Sequence, residues 1–178
     1  MSRERALPPV PIADQIDQFV IRIGQIISWV YAVLVAVIIT QVLLRKGFSA
    51  GQIVLEELQW HLYAIGFMFG LSYTQAKDSH VRVDLLYNHF SPRVKHVVEI
   101  VGMVAFVLPL IFIIVYHSLD FVYDAWRIGE RSDAPAGLPY RWLIKSVIPA
   151  SFLLLGIAVL SRIYREAYLL IKGDHYGS

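Results

Sequence analysis

Cysteine is absent from the 178-residue chain. That excludes disulfides, thiolate metal sites, iron–sulfur clusters and cysteine nucleophiles. Charge is scarce as well: 17% of residues are Asp, Glu, Lys or Arg, against about 25% in ordinary globular chains. The 16 basic and 14 acidic residues leave a formal net charge of only +2. No basic stripe interleaved with aromatics occurs, so nucleic acid is not an expected partner. The start of the sequence does not read as a cleavable leader, and the first apolar segment is expected to be retained. Arg3 and Arg5 are followed by Pro8, Pro9 and Pro11, then Asp14 and Asp17, and no small-residue cleavage site follows the first apolar run. There is no internal repeat and no low-complexity tract.

What remains is apolar. Hydrophobic residues make up 57% of the chain and the mean hydropathy is +0.56. They are gathered in runs, so the expected solvent is lipid. A bilayer core of about 30 Å needs about 20 mostly apolar residues in a helix. Four segments meet or approach this: Ile23 to Leu44, Leu58 to Ala76, Ile100 to Leu119, and Ser146 to Ser161. Trp142 and Leu143 extend the last run backward, and Ile163 to Ile171 extend it forward, with Arg162 and Arg165 expected to snorkel to the headgroups. None of the runs alternates as a barrel strand would, and isolated spans satisfy their backbone only as helices. Pro109 is expected to kink the third span, whereas Pro149 is read as near the start of the fourth.

The expected fold is therefore an all-α integral membrane protein, one domain over 1–178. Its spans are about 20–45, 56–77, 94–124 and 142–171. Residues 1–18 form an N-terminal tail and lead-in, and Asp14 to Arg22 reads as a short amphipathic helix along the interface. Orientation follows the basic residues near the span ends. With the N-terminus inside, ten Lys and Arg fall inside (among them Arg22, Lys77, Arg82, Arg93, Arg162 and Lys172) and six outside. The six are Arg45, Lys46, Arg127, Arg131, Arg141 and Lys145. Both termini are expected in the cytoplasm.

The histidines raise a chemical alternative. In this topology His61 and His117 fall near the outer ends of their spans, and His80 and His96 near the inner ends, as a bis-histidine b-type cytochrome would need. Against it, His61 and His80 are 19 residues apart, or about 28 Å at 1.5 Å per residue. That spacing puts every histidine at the water interface. A carboxylate-bridged metal centre would want Glu-x-x-His pairs in the bundle core. The pairs present, Glu57–His61 and His80–Asp84, are spaced i,i+4 at span ends, where they support a helix end. His117, Asp120 and Asp124 share a face and offer at most a weak cation site. No nucleophile elbow, phosphate loop or zinc-protease helix occurs, so neither an enzyme nor a cofactor is expected.

Ionisable groups deep in membrane spans usually mark a transport path, and these spans have almost none. They offer packing groups instead: Trp60, Tyr63, Gly66, Phe67, Gly70 and Tyr73 on the second. Gly66 and Gly70 form a GxxxG, which allows close helix approach within or between chains. Trp126, Tyr140 and Trp142 suit an aromatic belt.

Two stretches resemble a known family. EELQWHLYAIGFMFGLSYTQAKDSHVRVDLL, Glu56 to Leu86, is similar to the small membrane subunit (DctQ-like) of tripartite ATP-independent periplasmic (TRAP) transporters. The matching features are the acidic pair Glu56-Glu57, Gly70, and His80-Val81-Arg82-Val83-Asp84 after the span. GLPYRWLIKSVIPASFLLLGI, Gly137 to Ile157, resembles the family's entry into its last span, with Gly137, Pro139 and Pro149 in the matching places; Ala150 and Ser151 stand where a glycine is common. The resemblance implies a non-catalytic scaffold in the bacterial inner membrane. Its implied partners are a large membrane subunit of about twelve spans, which carries organic acid and Na⁺, and a periplasmic binding protein. On this reading Trp60, Tyr63, Gly66, Phe67 and Gly70 are candidate subunit contacts. Arg45, Lys46, Arg127, Arg131 and Arg141 are candidate docking residues for the binding protein, or contacts to membrane lipids. His80 and Asp84 form a structural clamp at the inner end of the second span.

Overall fold

The computed structural model of the protein describes residues 9–49, 51–78 and 90–172. Every regular element in them is helical. Helix α1, Pro11–Gly47, has 37 residues and is about 55 Å long at the helical rise. Pro11 opens it at a position whose N–H would be unbonded anyway. Arg45 and Lys46 in its last turn offset the helix dipole. Helix α2, Ile53–Ala76, begins without a side-chain cap of its own. The Gln41 amide of α1 fills that role, donating to the Gln52 carbonyl (3.1 Å) and accepting the Gln52 N–H (3.2 Å). Asp78, with φ of 53°, takes the left-handed conformation that ends a helix.

The third apolar run lies in one continuous rod: α3 (Pro92–Gly102), a π-helical turn (Met103–Val107) and α4 (Leu108–Arg127). The π turn answers Pro109. A proline removes one N–H and crowds the carbonyl four residues back, and widening the preceding turn, where Leu108 N–H donates to Met103 O, accommodates it. Ser91 precedes the proline at the start of α3, but its hydroxyl makes no capping bond. Helix α5, Arg141–Lys172, carries Pro149 inside the helix and buried, deeper than its sequence position near the start of the run led us to expect.

Helix α5 is the centre of the molecule. It packs on α1, on α2 and along the whole rod, and the rod packs on α5 rather than on α1 or α2. One apolar cluster joins Val20 of α1, Ala76 of α2, and Leu154 and Ala158 of α5. A second joins Met103 and Ile111 of the rod to Val159. Three helical stretches, 11–47, 93–127 and 141–172, are long and apolar enough to cross a membrane.

The start of α1 departs from expectation. It is not a separate helix, because residues 11–47 are continuous. Val10 and Ala13 are buried against Leu169 and Tyr168 of α5. Two ends of the bundle can then be distinguished. One, here the terminal end, holds the start of α1 and the finish of α5; the other, the loop end, holds the α1–α2 turn and residues 128–140.

Candidate functional site

At the terminal end, α5 carries Arg162, Arg165 and Glu166 at i, i+3 and i+4, all on one face and all buried. Arg162 reaches Asp78 at the end of α2 (3.1 Å) and Glu166 one turn along its own helix (2.7 Å). Arg165 binds both Asp14 (2.6 Å) and Asp17 (2.8 Å) of α1. Ser161 adds a hydroxyl to Asp17 at 2.7 Å. Glu166 accepts from His96 Nδ1 of α3 at 2.5 Å, with both side chains at 0% exposure. One face of one helix thus fastens all three of its neighbours.

This cluster corrects three expectations. Arg162 and Arg165 do not snorkel outward: they are 4% and 2% exposed and bound to partners inside the bundle. His96 is not solvated, its side chain being buried against Glu166. Asp14 and Asp17, read as part of an interfacial lead-in, bind Arg165 of α5, with Asp17 largely covered and Asp14 partly exposed. The expected inner clamp, His80 with Asp84, lies outside the described residues, as does the His80 half of the inner histidine pair. In the sequence the cluster shows as charges of both signs at helical spacing just beyond an apolar run, a pattern that does not by itself separate protein partners from headgroups.

At the loop end, the acidic pair divides its work. Glu57 accepts the Leu138 N–H at 2.6 Å and the Ser132 hydroxyl. Gly137 lies so close that a Cβ there would come within 2.8 Å of Glu57 Oε1 and nearer still to Ser132. Two motifs some 80 positions apart in sequence, Glu56-Glu57 and Gly137-Leu138-Pro139, therefore meet around one carboxylate. The loop has internal order too. Ser132 N–H donates to Leu138 O, and Arg141 N–H to Glu130 O. Lys145 binds Glu130 and lies 3.8 Å over the Phe121 ring. Tyr140, beside Pro139, sits at φ of 60°, a conformation bulky residues seldom adopt. Glu56 has a looser contact, its Oε1 taking Gln41 Nε2 at 3.2 Å.

The candidate docking cations all belong to the loop end. Arg45, Lys46, Arg127 and Arg131 are exposed, Arg127 with a solvated contact to Asp124 at 3.7 Å. Arg141 is half-buried and 3.7 Å from Glu130. Among the candidate subunit contacts, Trp60, Tyr63 and Phe67 are exposed on one face of α2, with the Tyr63 and Phe67 rings stacked. Gly66 is different: it is buried beneath the ring of Tyr31 on α1, so its close approach is made within the chain. Gly70 faces open space.

The outer histidines do not converge. His61 on α2 is half-buried, His117 on α4 is exposed with its edge against Tyr116, and their helices pack on α5 rather than on each other. Among the described residues no three His, Asp or Glu side chains converge so as to hold a metal ion.

The family model described as "Tripartite ATP-independent periplasmic transporters, DctQ component" matches residues 34–168. That interval includes α2, the whole rod and most of α5, and both motif regions. No curated protein matches the chain.

Proposed function

The chain belongs to the DctQ-component family of tripartite ATP-independent periplasmic transporters, and from that membership we propose that it is the non-catalytic scaffold subunit of a Na⁺-coupled importer of an organic acid. In this reading a large membrane subunit of about twelve spans carries the solute, and a periplasmic binding protein delivers it. The small subunit sits in the bacterial inner membrane with four spans. Helix α2 is the fourth: its 24 residues reach about 36 Å, with Glu56 and Glu57 at one end and Lys77 and Asp78 just past the other. Both termini are cytoplasmic, which makes the terminal end the inner one and the loop end the periplasmic one.

The observation that carries the scaffold role is the use made of the buried charges. His96, Arg162, Arg165 and Glu166 are spent on joining α5 to α1, α2 and α3 at one level of the bundle. Ionisable groups that mark a solute path usually face a cavity within the spans, whereas these face partner helices, an arrangement that favours rigidity. The docking reading for Arg45, Lys46, Arg127, Arg131 and Arg141 is supported by their gathering at one end beside a loop held in shape by Glu57.

Co-expression with the large membrane subunit tests the proposal. The tagged chain is expected to retain that subunit through detergent purification, and uptake in liposomes is expected only with both membrane subunits, the binding protein and a Na⁺ gradient. A chain that stays alone and well folded beside its co-expressed neighbour, or that moves solute unaided, overturns it.

A further inference from the structure

A groove of about 420 Å³ opens on the surface between α1 and α2, lined by Leu34, Ile38, Glu56, Gln59, Trp60 and Tyr63. Its polar groups are not spread evenly. Glu56 and Gln59 lie towards the loop end, while Leu34, Ile38 and Tyr63 line the part running away from it. Since α1 and α2 are antiparallel neighbours joined by a short turn, the groove follows the helix axes, the direction in which an acyl chain lies in a bilayer.

Glu56 is the group that gives this groove a chemical preference. Its neighbour Glu57 has both oxygens engaged by the Ser132–Leu138 loop. Glu56 takes one amide contact, from Gln41 at Oε1, and is exposed at the rim. A carboxylate at the membrane surface favours a cation that can also donate hydrogen bonds. Trp60, 74% exposed on the same rim, carries an indole N–H, the kind of donor that a phosphodiester oxygen accepts. An ammonium, a phosphodiester and an apolar tail in that order are the parts of a phosphatidylethanolamine.

We propose that the α1–α2 groove is a binding site for a lipid with a primary ammonium headgroup, its ammonium on Glu56 and one acyl chain along Leu34, Ile38 and Tyr63. A trimethylated head keeps the charge but has no N–H to donate, and a glycerol head has no cation. The site therefore discriminates among lipids that share the same tails. The inference does not depend on the transport role and survives the failure of that role.

The test is native mass spectrometry of the full chain in detergent, titrated with dioleoyl phosphatidylethanolamine, phosphatidylcholine or phosphatidylglycerol. The ethanolamine lipid is expected to bind roughly tenfold more tightly than the other two, a factor within reach of one charge-assisted hydrogen bond. Glu56→Gln, which keeps the side-chain size and an acceptor for Gln41, is expected to abolish the preference. Leu34→Trp, which fills the groove, is expected to lower binding of all three. Asp124→Asn, at an exposed carboxylate of the same end, is expected to change nothing. Equal binding of the three lipids by the unaltered chain overturns the proposal, and that comparison needs no variant to fold. So does a preference that persists in Glu56→Gln. A complex with the large subunit in which the lipid is displaced and Glu56 cross-links to a lysine of that subunit assigns the groove to a protein side chain and also overturns it.

Discussion

His96 at the start of the rod and Glu166 near the end of α5 meet at 2.5 Å with neither side chain exposed. Glu166 is also bound to Arg162, which in turn holds Asp78. The histidine thus belongs to a set of contacts that links α2, α5 and α3. Removing a single member leaves a buried group without its partner, which is dearer than removing both.

The first prediction follows from that asymmetry. Glu166→Ala is expected to destabilise the detergent-solubilised chain by about 3–5 kcal/mol, because Arg162 and His96 lose a buried acceptor together. His96→Ala alone should cost less, since Arg162 keeps Glu166. The double variant should come close to Glu166→Ala, with a coupling of about 0.5–3 kcal/mol in a double-mutant cycle. Thermal unfolding in detergent measures this. Simple additivity of the two losses would show that the contact does not work as a unit.

Arg165 supplies a second prediction, on where the structure loosens rather than how much. It binds both Asp14 and Asp17, where the start of α1 is otherwise held by the Ser161 hydroxyl on Ala13 O and Asp17 and by Val10 and Ala13 packed against Leu169 and Tyr168. Arg165→Met keeps the apolar stem and removes both contacts. Amide exchange is expected to rise across residues 11–20 and to stay unchanged in α4, since local opening follows the loss of local contacts. A uniform rise over the whole chain would refute a local role.

These two predictions concern the part of the molecule that was hardest to read from sequence. The helices were legible because each apolar run is long enough to declare itself, and the loop-end motifs because they lie in short contiguous patterns. The terminal-end cluster was not, for its contacts between helices join residues 70 to 151 positions apart. An arginine next to an apolar run looks alike whether it reaches for headgroups or for an aspartate on another helix. Asp14 and Asp17 face α5 only because α1 continues without a break past Arg22, and helical continuity through a stretch that contains Asp, Gln and Arg is decided by the partner helix. At the loop end, the acidic pair was visible as a pair, but the division between a bound Glu57 and an open Glu56 depends on a loop that returns 75 residues later.

That loop gives the third prediction. Glu57→Gln cannot satisfy Ser132 and the Leu138 N–H as a carboxylate does, and Gly137→Ala places a methyl where Ser132 and Glu57 already stand. Both changes should free residues 130–140. The native chain has no cysteine, so an Asp133→Cys reporter can be labelled without background. Its reaction with a maleimide is expected to accelerate about tenfold in either variant. Glu56→Gln, whose contact is with Gln41, should leave the rate alone. Equal rates in all the chains would mean that Glu57 does not hold the loop.

The fourth prediction separates the two glycines of the GxxxG. Gly66 lies under Tyr31: a Cβ there would come within 2.6 Å of the tyrosine Cζ, whereas a Cβ on Gly70 would meet nothing within 4 Å. Gly66→Val is therefore expected to push α1 and α2 apart and to destabilise the isolated chain by about 1–3 kcal/mol, the range for overfilling a packed contact. Gly70→Val should unfold like the unaltered chain. The large subunit then becomes the informative partner. Gly70→Val is expected to reduce its co-purification if a partner helix packs close on that side of α2, since small residues permit close approach between membrane helices. Gly66→Val with the extra space restored by Tyr31→Ala should recover stability and retain the partner. A loss of stability in Gly70→Val equal to that in Gly66→Val would contradict the open surface at Gly70 and, with it, the separation of an internal glycine from an external one.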